Sequence, residues 1–88
     1  MLDTLKELCS LSAASGDEKS VRDYIISKID GKADWHIDNL GNIIVFKKGK
    51  NKSCKKLMAD AHMDEVGLII SSVTDDGFLK FHTVGGID

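Results

Sequence analysis

The hydrophobic period of the chain changes once, near residue 35, and this change constrains the fold more than any other feature. Before it, apolar residues recur every three or four positions, which is the spacing of one face of a helix. After it, short β-branched runs alternate with turns that contain glycine and asparagine, as is typical of strands. The sequence therefore predicts an α/β fold, with two N-terminal helices followed by about five strands of a mixed sheet.

Two amphipathic helices are predicted. The first runs from the N-terminus to about Leu11. The second is expected to begin at a capping box formed by Ser15 and Glu18, and to end where Gly31 can adopt a left-handed conformation. Their apolar stripes are Leu2, Leu5, Leu8 and Cys9 in the first helix, and Val21, Tyr24, Ile25 and Ile29 in the second.

Five strands are predicted, two before a lysine-rich stretch and three after it. Residues 35–38 and 43–46 are expected to form a hairpin, and the unbroken apolar run at 43–46 indicates a strand covered on both faces. The lysine-rich stretch 47–56 is interpreted as a solvated connection at a sheet edge. Further strands are expected at residues 57–61, 67–73 and 78–84. No second layer of helices follows them, so the sheet is expected to be incomplete.

Length and charge exclude several classes of function. A chain of 88 residues forms one small domain at most and cannot enclose a deep catalytic cleft. Its net charge of -2 argues against general nucleic-acid binding, which requires clustered positive charge. No secretory leader and no apolar run of about 20 residues is present, so no membrane partner is expected. Cys9 and Cys54 fit no metal-binding spacing, and reduced thiols in a cytoplasmic protein are the simplest interpretation.

The strongest candidate for chemistry is the pair His62 and Asp64, which follows the predicted strand at 57–61. Ligand sites gather at the carboxyl ends of strands in open α/β sheets. A neutral imidazole binds divalent metals well, and a carboxylate commonly accepts the other ring proton of such a ligand. Alternatively, His62 is satisfied by hydrogen bonds within a turn and Asp64 caps a loop.

Four other polar residues are weaker candidates. His36 and His82 lie within predicted strands, where a hydrogen-bonded or surface imidazole is the common outcome. Asp60 either faces water or has a partner near the site. Glu65 could act as an acid or base, but it is interpreted as a flexible surface carboxylate. No nucleophile motif or phosphate-binding loop is present, which restricts an enzyme to metal-dependent hydrolysis.

Several motifs together resemble the M42 family of aminopeptidases, the glutamyl and deblocking aminopeptidase group. The segment AHMDEVGL at residues 61–68 is similar to the first metal motif of that family. Also similar are Ser15-Gly16 with Glu18 ahead of Val21-Arg22, the turn DNLGN at 38–42, and the segments DGFL at 76–79 and VGGID at 84–88. The order and spacing of these motifs agree over essentially the whole chain.

The resemblance implies a cytosolic homo-oligomeric exopeptidase that removes N-terminal residues from peptides with two divalent metals, zinc or cobalt. His62 would be a ligand of one metal, and Asp64 would be the catalytic-site carboxylate that orients it. The remaining ligands and the general-base glutamate of the family lie beyond the position that matches Asp88.

The resemblance also implies that residues 1–88 are the N-terminal segment of a zinc-exopeptidase-like catalytic domain, which stops where an inserted β-domain begins in the family. A catalytic zinc typically needs three protein ligands, so the 88-residue polypeptide is expected to be inactive alone. Two alternatives remain: a non-catalytic α/β module that joins a full-length relative through an open sheet edge, and a small structural domain in which His62 is only a turn residue.

Overall fold

The computed structural model describes residues 1–51 and 55–88, in which two helices precede four strands. The helices are α1 (Leu2–Ser10) and α2 (Lys19–Ile29). The strands are β1 (Asp34–Ile37), β2 (Ile43–Phe46), β3 (Gly67–Val73) and β4 (Leu79–Val84). The predicted α/β class and both predicted helices are confirmed.

The start of α2 differs from the predicted capping box. Glu18 itself is the N-cap residue and makes no side-chain cap hydrogen bond. Its carboxylate accepts a hydrogen bond from the amide of Gly16 at 2.7 Å, where a capping box would use the amide of Ser15. The end of α2 is as predicted, because Gly31 follows the helix with a φ of +73°.

A polar cluster on the surface joins the two helices. The Tyr24 hydroxyl of α2 donates a hydrogen bond to the Glu7 carboxylate of α1. The Lys28 ammonium lies 3.7 Å from the same carboxylate and 5.0 Å from the centre of the Tyr24 ring. The Tyr24 hydrogen bond, and then the charge of Lys28, lower the pKa of Glu7. Polar contacts therefore hold together two helices whose described side chains include one buried residue, Val21.

The strands form two separate antiparallel hairpins, and the predicted single mixed sheet of five strands is wrong for the described residues. β1 pairs with β2, and β3 pairs with β4. The predicted strand at residues 57–61 is absent, and this segment is exposed and irregular. A strand requires a partner that offers backbone hydrogen bonds, and neither hairpin extends an edge to this segment.

The β3–β4 hairpin keeps one face apolar. Cross-strand partners lie on the same face, so Ile70 shares its face with Phe81, and Ile69 shares the opposite face with His82. A bulge between Ile70 and Ser72 shifts the register by one residue and returns Val73 to the Ile70 face. The apolar face comprises Leu68, Ile70, Val73, Leu79 and Phe81, with Thr83 at its end opposite Leu68, whereas the opposite face includes Ile69, Ser72, Lys80 and His82.

The described residues bury very little apolar surface. The radius of gyration is 18.0 Å and the longest extent is 66 Å, whereas a compact domain of this length has a radius of gyration of about 12 Å. Among residues 1–51 and 55–88, the buried apolar residues are Ala13 and Val21, at 2% and 7% exposure. The prediction that β2 is covered on both faces is also wrong, because Val45 and Phe46 are exposed. In the described chain β2 therefore pairs with β1 and leaves these two side chains open to solvent.

Two smaller expectations concern cysteine and the membrane. Cys9 is exposed and forms no disulfide within residues 1–51 and 55–88. Cys54 and part of the lysine-rich loop lie outside the described residues. No helix in the described part of the chain is long and apolar enough to cross a bilayer.

Candidate metal site

His62 and Asp64 are in direct contact in the loop that leads into β3. Nδ1 of His62 lies 2.9 Å from the backbone carbonyl oxygen of Asp64 and 3.1 Å from its carboxylate Oδ1. A carbonyl oxygen can only accept, so Nδ1 carries the proton in this contact. In the neutral ring the lone pair is then on Nε2, which is the form that binds a metal. The side chain of His62 is 85% exposed.

The pair lies in one wall of a depression of about 270 Å³. Residues 61–64 line one side, and residues 40–42 together with Glu18 line the other. The sequence predicted that the pair lies at the carboxyl end of a strand. Because residues 57–61 form no strand, the pair lies in an irregular loop instead. The DNLGN turn and the histidine therefore line the same depression without belonging to one sheet.

The DNLGN turn is built by the side chain of Asp38. Its carboxylate accepts hydrogen bonds from the backbone amides of Leu40 and Asn42, both at 2.9 Å, and from Nδ2 of Asn42 at 2.8 Å. The side-chain amide of Asn42, more than any other group, lowers the pKa of Asp38. The turn closes at Gly41, whose φ of +88° favours glycine.

Arg22 connects the same turn to α2. Its guanidinium donates a hydrogen bond of 3.1 Å to the carbonyl oxygen of Gly41. A Cβ atom at position 41 would lie 2.9 Å from that guanidinium, so the glycine also permits the close approach. Arg22 occurs in the motif that carries the family resemblance, but spacing alone did not indicate this contact.

Glu65 was interpreted from sequence as a flexible surface carboxylate; its exposed position is confirmed, but its carboxylate is held by a hydrogen bond. Oε1 of Glu65 accepts a hydrogen bond from the backbone amide of Ala13 at 3.2 Å. The backbone amide of Glu65 donates to the carbonyl oxygen of Ala13 at 2.8 Å. The contact spans 52 residues in sequence. No local pattern signals such a pairing, which is why sequence reasoning missed it.

The other candidates do not join the pair. His36 lies in β1 opposite Ile44, and His82 lies in β4 opposite Ile69. Asp60 is exposed in the irregular segment before the site. Within the described ranges, no cluster of three or more His, Cys, Asp or Glu side chains could hold a metal ion. The described chain thus provides one imidazole with its carboxylate and not a complete ligand set.

A larger hollow of about 640 Å³ lies elsewhere, at the open end of the β1–β2 hairpin. Trp35, Phe46 and Lys47 are in its wall, together with Asp30 and Asp34. It contains no histidine, and its lining includes both lysines and carboxylates. We therefore place the candidate chemistry at the smaller depression, where the imidazole and its acceptor meet.

Comparison with known proteins identifies the family. The family model described as M42 glutamyl aminopeptidase matches residues 41–88, which is more than half of the chain. The chain belongs to the M42 family. A putative aminopeptidase from Acetivibrio thermocellus is 43% identical over 88 residues, which cover 99% of this chain and 26% of that protein. The predicted family is confirmed.

Solved structures share the fold of the segment. The TET1 peptidase of Pyrococcus horikoshii, which can assemble into a tetrahedron or a large octahedral shell, matches with a TM-score of 0.82 and 40% identity over 99% of this chain and 26% of that one. A Thermotoga maritima protein named an endoglucanase matches with a TM-score of 0.83 and 49% identity over 96% of this chain and 27% of that one. The M42 chain described here spans about a quarter of the length of these relatives.

Proposed function

We propose that residues 1–88 are the N-terminal segment of the catalytic domain of a two-metal aminopeptidase that removes N-terminal residues from peptides. The observation that carries this proposal is the contact of His62 Nδ1 with two acceptors of Asp64. It orients the ring and leaves the Nε2 lone pair for a metal, as a carboxylate hydrogen-bonded to a metal-binding histidine does. Membership of a family of aminopeptidases supports the reaction class.

In this proposal His62 binds one of two zinc or cobalt ions through Nε2, and Asp64 orients and polarises the imidazole. Bound divalent metal lowers the pKa of a water molecule and polarises the peptide carbonyl, which is the chemistry that hydrolysis requires. Asp64 acts through His62, since its carboxylate and its carbonyl oxygen both face the ring. Loss of the carboxylate would leave the carbonyl contact and weaken the orientation of the ring.

The rest of the machinery is assigned to the longer protein. One histidine cannot hold a catalytic zinc, which typically has three protein ligands, and the described residues contain no cluster that could complete the set. The other ligands and the general base would follow in sequence beyond residue 88. We therefore propose that the 88-residue polypeptide has no aminopeptidase activity of its own.

The setting of the enzyme is also proposed. Assembly of the TET1 peptidase into shells supports a homo-oligomer, and the net charge of -2 supports a peptide substrate over nucleic acid. A cytoplasmic location, without a membrane partner, accords with the reduced state proposed for the thiols.

The test uses the native product that carries residues 1–88. Its intact mass, its content of zinc and cobalt, and its turnover of aminoacyl p-nitroanilides are measured for the wild type and for His62→Ala. We expect a chain several-fold longer than 88 residues, and we expect the substitution to lower bound metal and to reduce kcat by at least about a hundredfold.

His82→Ala is the matched control, because it removes an imidazole from an exposed strand of the same segment. It should retain metal content and turnover. Equal activity of the wild type and His62→Ala would contradict the role of His62. Turnover by a purified polypeptide of residues 1–88 would contradict the division of the site between this segment and the rest of the protein.

A second candidate is a non-catalytic module that joins a full-length relative. The observation that favours it is the open outer edge of each hairpin, since β3 and β4 pair only with each other in the described chain. A native product that ends at Asp88, self-associates without metal and shows no turnover would support this candidate over the enzyme.

A further inference from the structure

The backbone of Ala13 has a single partner residue for both of its polar groups. Ala13 is 2% exposed and is the most buried apolar residue of the described chain. Its carbonyl oxygen accepts from the amide of Glu65 at 2.8 Å, and its amide donates to Oε1 of Glu65 at 3.2 Å. A buried peptide group without partners is costly, so Glu65 satisfies both groups of a buried residue at once.

The two segments also touch through their small residues. Ala14 and Glu65 form a parallel β-bridge. A Cβ atom at Gly67 would lie 3.2 Å from the Cβ of Ala14, which is closer than ordinary van der Waals contact. The loop between α1 and α2 and the loop before β3 are therefore packed directly against each other around the Glu65 carboxylate.

This contact is coupled to the histidine through one peptide plane. The carbonyl group of Asp64 and the amide of Glu65 belong to the same planar peptide unit. The amide end donates to Ala13, and the carbonyl end accepts from Nδ1 of His62. The orientation of the carbonyl oxygen that receives the His62 proton is thus fixed by the hydrogen bond on the other side of the plane.

We infer that Glu65 is a positioning residue of the metal site, a role that rests on the proposed function of His62. Its carboxylate secures the 13–65 contact, the contact fixes the peptide plane between Asp64 and Glu65, and that plane holds the ring of His62 with Nε2 free for metal. The carboxylate works as a hydrogen-bond acceptor of defined reach. It does not take a proton from the attacking water, because it is committed to the amide of Ala13.

Two substitutions of Glu65 separate the position of its side-chain oxygen from its negative charge. Glu65→Gln keeps a side-chain oxygen at the same distance from the backbone and removes the charge. Glu65→Asp keeps the charge and withdraws the oxygen by one methylene group. Asp23→Asn is the control, because it changes an exposed carboxylate of α2 that pairs with Lys19.

The measurements are made on the native product that carries residues 1–88. They are the apparent Kd for zinc by chelator competition, hydrogen exchange in peptides that contain residues 13–14, and kcat and KM for an aminoacyl p-nitroanilide. We expect Glu65→Asp to raise the zinc Kd about tenfold and to accelerate exchange at residues 13–14, whereas Glu65→Gln and Asp23→Asn stay within about twofold of the wild type.

Each other result overturns the inference. Loss of kcat in Glu65→Gln with an unchanged zinc Kd would make the charge essential and assign Glu65 as a base. An unchanged zinc Kd in both variants would show that the 13–65 contact does not reach the metal. If Glu65→Asp fails to fold, Glu65→Gln still tests the inference, since loss of zinc affinity in that variant would contradict the role of an uncharged acceptor. Failure of the proposed function looks different, because the wild type itself would then lack zinc and turnover.

Discussion

At the residue scale, short-range polar contacts define the local geometry around His62, since little apolar surface is buried there. The Asp38 carboxylate organises the DNLGN turn, and the Asp64 carbonyl and carboxylate orient the imidazole. All contacts made by Asp38 in this turn lie within residues 38–42. The turn can therefore form before any long-range packing, and it presents a preformed wall to the loop that carries His62.

Asn42→Ala should raise the pKa of Asp38 toward its ordinary value of 3.8. The side-chain amide of Asn42 is the main cause of the lowered pKa, and the substitution removes it. A lowered folded-state pKa means that the ionised carboxylate stabilises the turn above the ordinary pKa, and that this stabilisation is lost as pH falls through the lowered pKa. The turn of the variant should therefore open at a higher pH than that of the wild type.

A carboxyl ¹³C titration of Asp38 in the 88-residue chain measures this change directly, because the contacts are local. Asn39→Ala is the control, since it alters a neighbouring amide of the same turn for which the structure gives no part in the lowered pKa. A pKa of Asp38 that is the same in wild type and Asn42→Ala would refute the assignment of the Asn42 amide.

At the element scale, the sequence predicted the features that depend on neighbours in sequence. The apolar stripes predicted both helices, and the turn residues at 38–42 predicted the β1–β2 hairpin. Both features depend on residues that are close in sequence. The prediction of a strand at 57–61 was wrong, because an apolar run forms a strand only where the edge of a neighbouring strand provides backbone hydrogen bonds. The predicted capping box of Ser15 and Glu18 was wrong, because the Glu18 carboxylate accepts a hydrogen bond from the backbone amide of Gly16 instead.

The candidate site divides in the same way. The contact between His62 and Asp64 could be predicted, because a spacing of two residues brings their side chains together within one loop. Glu65 was named as a weaker candidate, but its contact with Ala13 was not predicted, since Ala13 lies 52 residues away and contributes only backbone atoms. Backbone groups carry no residue-specific signal, so contacts of this kind become visible only in the folded chain.

The two faces of the β3–β4 hairpin should differ in their effect on stability. Ile70 and Ile69 are neighbours with similar exposure, but Ile70 lies on the continuous apolar face and Ile69 lies among polar side chains. In the longer protein, Ile70→Thr should lower the free energy of unfolding by about 2 kcal/mol more than Ile69→Thr, because the apolar face is the one expected to meet the rest of the domain. Urea denaturation of both variants measures the difference, and equal losses would show that both faces are covered.

At the scale of the whole molecule, the described residues have the elements of a domain without its core. Two helices and two hairpins extend over 66 Å, and Ala13 and Val21 are the buried apolar residues. Burial of apolar surface is the dominant favourable term in folding, and the conformational entropy of the chain opposes it at every residue. The contacts of each hairpin lie mostly between its own two strands, so little couples the unfolding of one hairpin to that of the other or of the helices.

The purified 88-residue polypeptide should therefore unfold without a sharp cooperative transition. Differential scanning calorimetry should give a broad, weak endotherm. The dye ANS should bind the polypeptide in buffer without denaturant, because the apolar face of the β3–β4 hairpin is open to solvent. Zinc at tenfold excess should not sharpen the transition, since one histidine ligand binds the ion too weakly to favour the folded chain by mass action. A sharp, zinc-dependent endotherm would mean that residues 1–88 complete a metal site, and would contradict the assignment of the remaining ligands to the longer protein. Loss of that endotherm in His62→Ala but not in His82→Ala would identify the imidazole responsible.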